Sequence, residues 1–205
     1  MDVSMCAAAR PAEPAALTVE ALAGALAGPT ERYEKHLADL RGLYRDAEAF
    51  ETAVAADDGT PVYWVDSSTP DTGRGALTIG LSVLRPGRVG DEWAMTRGHL
   101  HAQAEFAELY FGISGSGVML LDSVDGESRA LPIAPGVAVH VPGGWVHRSV
   151  NVGDELLVTL FAYATEAGQD YGIIERAGGM SQLVVADDTG GWTTRPNPDH
   201  GGYRA

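Results

Sequence analysis

At 205 residues the chain is long enough to bury a core of its own, and a formal net charge of −14 gives it a surface that repels the phosphates of nucleic acids and acidic membranes. No run of about 18 apolar residues is available to cross a bilayer, and the Ala-rich start lacks the basic n-region of a signal peptide. The one cysteine, Cys6, allows no internal disulfide and suits a reducing cytoplasm.

In chain order, residues 1–29 read as a loosely ordered extension with some helix over 19–27. From 30 to 56 the chain is charged, and Tyr33, Leu37, Leu40 and Leu43 recur at three- and four-residue intervals, which predicts one or two helices packed outside the main body. Short apolar segments follow at 61–65, 76–84, 106–113, 117–121, 128–133, 138–141, 155–164 and 183–186. Turns rich in Gly, Pro and Asp separate them at 85–87, 125–126, 135–136, 142–144 and 152–154, the punctuation of an all-β jelly roll. Residues 187–205 are rich in Gly, Asp and Pro and are expected to cover a surface irregularly. This gives a single domain over 30–198 with a short tail, 199–205.

The chemistry concentrates in four residues. His99 and His101 stand at i and i+2, on one face of an extended segment, so one metal ion can be gripped by both rings. Glu108 is the only acid inside the apolar run that follows, where an uncompensated carboxylate is costly and calls for a cationic partner. His147 lies just past the 142–144 turn, and closure of a barrel returns it to the other three. Three imidazoles and one carboxylate are a ligand set for a divalent metal. His36, His140 and His200 have no partners at ligand spacing and are read as structural. Arg97, with Thr96, Gly98 and Ser82, offers a local cluster of donors able to hold a phosphorylated small molecule against the overall negative field. No phosphate-loop or dinucleotide fingerprint is present.

Gly136, Pro142, Gly144, His147 and Asn151 fall at the spacings of the second cupin motif, and Glu108 with Gly115 matches part of the first. The chain therefore resembles the cupin superfamily. The gap from His101 to Glu108 is longer than is usual there. Together with Gly98-His99-Leu100-His101, Ala107-Glu108-Leu109-Tyr110, the run 145–151 and Ala167-Gly168-Gln169-Asp170-Tyr171-Gly172, it narrows the resemblance to the cupin-type phosphoglucose isomerases, over about residues 32–198.

That resemblance implies an all-β cupin double-stranded β-helix, a jelly-roll barrel with one or two N-terminal helices outside it. It implies one divalent metal, iron(II), manganese, nickel or zinc, on His99, His101, Glu108 and His147. The implied reaction is aldose–ketose isomerisation of a sugar phosphate, glucose 6-phosphate to fructose 6-phosphate, through a metal-stabilised enediolate. Glu108 is then base as well as ligand, with Tyr171 and Gln169 at catalytic positions. Tyr63, Ser82, Thr96, Arg97, Gly98, Tyr110 and Tyr163 are implied on the substrate, in a cytoplasmic homodimer.

Two positions depart from the pattern. Gln169 stands where the family has histidine, and glutamine hydrogen-bonds a hydroxyl without shuttling a proton near neutral pH. Gly144 stands where a tyrosine is common, which is expected to enlarge the pocket. Three other classes share the same ligand set: an isomerase or epimerase of another phosphosugar, an iron-dependent oxygenase, and a sugar-binding protein without turnover.

Overall fold

The computed structural model describes residues 13–28 and 30–203; Cys6 and the rest of residues 1–12 lie outside the described residues. In chain order the elements are β1 (Thr18–Glu20), β2 (Ala25–Ala27), β3 (Glu31–Lys35), α1 (Ala47–Ala56), β4 (Tyr63–Ser68), β5 (Leu77–Leu84), β6 (Arg88–Val89) and β7 (Glu92–Trp93). There follow β8 (Glu108–Ser114), β9 (Gly117–Ser123), β10 (Ser128–Ile133), β11 (Ala138–Val141), β12 (Trp145–Asn151), β13 (Leu157–Ala164), α2 (Ile173–Arg176), β14 (Gln182–Ala186) and β15 (Trp192–Pro196).

A six-stranded antiparallel sheet in the order β11-β8-β13-β5-β4-β3 and a three-stranded sheet in the order β10-β9-β12 form the jelly-roll barrel of a cupin. Tyr63, Tyr110 and Phe161 from the first share one apolar core with Val118, Val146 and Val150 from the second. Single bridges from Met95 to Val150 and from His99 to His147 lay residues 95–99 along the free edge of β12. The four-stranded sheet β15-β14-β7-β6 lies beyond it.

Alternation decides which side chains enter the barrel. In β11, Val139 and Val141 are buried while Ala138 and His140 are exposed. In β8 the same period buries Glu108 and Tyr110 and exposes Leu109. A carboxylate and a phenol thus share the inner face of one strand.

Helix occupies less of 30–56 than the spacing predicts. Residues Glu31–Lys35 are a strand, Tyr33 opposite Val65, and only a short 3₁₀ turn at Leu37–Leu40 and α1 are helical. The edge of β4 presents unpaired N–H and C=O groups, and pairing with them outweighs the weak periodicity. Asp66 reinforces the choice by accepting hydrogen bonds from Arg32 Nε and Nη2 at 2.6 and 2.8 Å. Helix α1 begins where Asp46 accepts the Ala49 N–H at 2.9 Å, an N-cap worth about 1 kcal/mol. It buries Phe50 against Tyr44, ring centroids 5.7 Å apart.

The helix expected over 19–27 is a hairpin, β1 against β2. Its turn carries Gly24 at φ 60°, which a helix cannot accommodate. The hairpin docks through a hydrogen bond from Trp64 Nε1 to the Gly24 carbonyl and another from the Leu26 N–H to Asp66, at 2.7 and 3.0 Å. The C-terminal stretch expected to be irregular contains β15, paired with β14, and Tyr203 anchors it by donating to Asp122 at 2.7 Å.

Candidate metal centre

The barrel closes His99, His101, Glu108 and His147 onto one point. Backbone bonds set the frame: the His99 N–H donates to the His147 carbonyl at 3.0 Å, and the His147 N–H returns a bond to the His99 carbonyl at 2.9 Å. On one Glu108 oxygen, Oε2, converge His147 Nε2 at 3.0 Å, His101 Nε2 at 3.1 Å and His99 Nε2 at 3.5 Å. Glu108, His101 and His147 are each at most 3% exposed. His99, His101 and Glu108 make a group able to hold a metal ion, their ligand atoms all within 4.8 Å of one another, and His147 reaches the same oxygen.

The protonation pattern fits a cation. His101 Nδ1 donates to the Phe106 carbonyl and His147 Nδ1 to the Trp145 carbonyl, each at 3.0 Å, which fixes the rings and leaves Nε2 turned to the carboxylate. His99 Nε2 is buried and, among the described residues, makes no hydrogen bond beyond its 3.5 Å approach to Glu108 Oε2. Burial first, then repulsion from His147, push the His99 pKa down to about 4, so this ring is neutral at pH 7, as a ligand must be. Burial lowers the His101 pKa, but the Glu108 carboxylate and the Phe106 carbonyl outweigh it and raise it. Burial alone would raise the Glu108 pKa, yet its contacts with His101, His147 and His99 hold it well below the usual carboxylate range. Nitrogen lone pairs crowded against an ionised oxygen repel one another, and a positive ion among them satisfies all four.

Beside this cluster lies a cavity of about 320 Å³. Of the residues singled out in the sequence, Tyr63, Ser82, Thr96, Gly98, Tyr110, Tyr163, Gln169 and Tyr171 all line it. Arg97 does not: it borders an adjoining outer recess with Tyr33 and Lys35, its Nη2 3.8 Å from Glu175. Positive φ at Gly98 turns the chain there, so neighbouring side chains part in opposite directions. Gly144 is not among the cavity's lining residues; it occupies a turn at φ 79° with open space where a side chain would stand.

The Gln169 side chain links two phenols. Tyr171 donates its hydroxyl to Gln169 Oε1 at 3.2 Å, and the amide also contacts the Tyr163 hydroxyl. Burial, then the Glu108 carboxylate beside it, keeps the Tyr110 hydroxyl protonated well beyond the ordinary phenol range. Tyr33, Val65, Ser67, Arg148, Ser149 and Phe161 complete the lining without having been singled out as site residues. Tyr33 was hidden by its helical reading, and the segment 31–35 carries no alternation that would mark it as a strand.

The family model described as Glucose-6-phosphate isomerase (GPI) matches residues 34–200. The chain belongs to this family. Glucose-6-phosphate isomerase of Sinorhizobium medicae is 45% identical over 180 residues, covering 88% of this chain and 84% of that protein. The enzyme of the same name from Thermococcus kodakarensis is 38% identical over 175 residues, 85% of this chain and 90% of that one. A solved structure of Bacillus subtilis oxalate decarboxylase, from work on its Mn(II) centres, overlays with a TM-score of 0.43 and 24% identity across 55% of this chain and 27% of that one.

Proposed function

We propose that this protein is a metal-dependent sugar-phosphate isomerase that interconverts glucose 6-phosphate and fructose 6-phosphate, with His99, His101, Glu108 and His147 as ligands to one divalent ion. The observation that carries the reading is the convergence of three imidazole nitrogens on Glu108 Oε2 at the edge of a hydroxyl-lined cavity, in a chain of this family. A divalent ion there supplies Lewis acidity toward the substrate's neighbouring oxygens.

The chain's own residues supply the rest. Isomerisation takes a proton from C2 of the aldose and delivers one to C1, while a hydroxyl proton passes between the two oxygens. In this reading Glu108 carries the carbon-bound proton, with the protonated Tyr110 hydroxyl beside it. Tyr171, Gln169 and Tyr163 form a connected set that orients sugar hydroxyls. Gln169 exchanges no proton near neutral pH, so the transfer falls to Glu108. Ser82, Thr96 and the Gly98 turn receive the phosphoryl group. Among the described residues no helix is long and apolar enough to cross a membrane, and a cytoplasmic homodimer is the setting this reading carries.

The test is isomerisation of fructose 6-phosphate by metal-stripped protein, the same protein restored with iron(II), manganese, nickel or zinc, and Glu108→Gln. Turnover that returns with metal and is absent in the variant supports the reading. Oxygen uptake, or sugar binding without turnover, by the restored protein would sink it.

A further inference from the structure

Strand β12 carries a second unusual group directly after His147. Arg148 is only 5% exposed, yet among the described residues it takes part in no ion pair, and its Nε has no hydrogen-bond partner. Glu92 and Asp122 lie near enough to favour its charge, but among the described residues neither is in ion-pair contact with it. Asp122 accepts from Ser181 and Tyr203, and Glu92 Oε1 accepts the Arg45 N–H. Withdrawing a guanidinium from water without a counter-ion is costly, and such a group persists where something else gains from it.

Two contacts show what gains. Arg148 Nη1 meets the Met95 sulfur, and Nη2 donates to the Arg97 carbonyl at 2.9 Å. That carbonyl sits in the middle of the turn whose flanking residues, Thr96 and Gly98, line the cavity. The turn is tight, since a Cβ on Gly98 would stand 2.7 Å from Ile174 Cδ1 and 2.8 Å from the His147 carbonyl oxygen. Its front is held by the Ser149 N–H, which donates to Thr96 Oγ1 at 3.1 Å, and its back by Arg148. The Arg97 guanidinium, meanwhile, leads away toward Glu175.

We propose that Arg148 is a positioning residue for the phosphoryl end of the substrate: from within the cavity wall its Nη2 pins the Arg97 carbonyl and fixes the Thr96–Gly98 turn, and its guanidinium brings positive charge to that wall. The identity of the substrate rests on the isomerase reading, whereas the binding of a phosphate dianion does not require turnover. A guanidinium with no carboxylate in contact, in a poorly solvated wall, attracts an anion more strongly than one in water, which suits an anion site in a chain of net charge −14.

The experiment is calorimetric titration of metal-loaded protein with inorganic phosphate, for the wild type, Arg148→Lys and Arg148→Met, alongside KM and kcat for fructose 6-phosphate. Arg148→Lys keeps the charge and nearly the length, so it guards against a collapse of Arg148→Met. Phosphate affinity is expected to fall about tenfold in Arg148→Lys and further in Arg148→Met. KM is expected to rise in step, while kcat stays within about twofold and bound metal is unchanged. Unchanged phosphate affinity in folded Arg148→Lys overturns the proposal, as does a loss of metal and kcat that accompanies the loss of phosphate. If phosphate binding responds as expected and fructose 6-phosphate is not converted, the isomerase reading fails and this one stands.

Discussion

The cavity has a charged end and an end that, Arg148 apart, is lined by neutral groups. Around Glu108, three imidazole nitrogens lie within 3.5 Å of one carboxylate oxygen, and Glu108, His101 and His147 are almost fully buried. Around Ser82 and Thr96, by contrast, the lining is hydroxyls and a backbone turn, with the Arg148 side chain in the wall beside them and Arg97 turned away. The first arrangement is tolerable only with a cation inside it; the second offers an anion hydroxyls and backbone, with a single guanidinium in its wall. A sugar phosphate spanning the two would place its reacting carbons at the end that moves protons and its phosphate at the end that only binds.

If that division holds, substitutions at the two ends separate rate from affinity. The largest effect is expected for Glu108→Gln, which removes ligand charge and base together: kcat for fructose 6-phosphate should fall by about 10²–10⁴-fold, with weaker metal retention, measured by coupled assay and elemental analysis. Ser82→Ala removes one donor from the neutral end. A hydrogen bond to a charged group contributes about 1.5–3 kcal/mol, so KM should rise by about 10- to 100-fold with little change in kcat. A kcat effect as large as the KM effect would show that the ends are not separate.

Gln169 tests the middle of the cavity. Gln169→Leu removes the acceptor of the Tyr171 hydroxyl and should weaken kcat/KM about 3- to 10-fold at every pH. Gln169→His introduces a group titrating near pH 6.5, so its pH–rate profile should acquire an additional limb near that value. The smallest effect belongs to Asp66→Asn, which touches neither end. Burial alone would raise the Asp66 pKa, but hydrogen bonds from Arg32 and the Leu26 N–H outweigh it and lower it below 3.8. Its stabilisation is therefore present above that value and disappears as pH falls through the lowered one. Loss of about 1 kcal/mol predicts a Tm about 2–4 °C lower at pH 7, closing toward zero in acid, with isomerase activity at 25 °C unchanged.

The charged end was the more legible in the sequence. His99, His101, Glu108 and His147 are rare residue types in apolar surroundings, so their spacing survives being read one residue at a time. Strands 128–133 and 138–141 were equally plain because their turns are explicit. The neutral end depends on backbone direction instead. Arg97 looks like the natural phosphate ligand until the turn at Gly98 sends it outward, and Arg148 looks like surface until β12 is found covered on both sides. Strand β12 itself was marked only by its histidine, and β3 and β15 exist because a neighbouring edge was available, information that sits tens of residues away in the chain.

The account stands or falls on one ion working in the His99, His101, Glu108 and His147 cluster. Metal-stripped protein titrated with increasing equivalents of manganese, while fructose 6-phosphate conversion is followed, should gain activity linearly up to one equivalent and then plateau, with His147→Ala showing no such break. Full conversion before any metal is added, or an unaltered break in His147→Ala, would contradict it.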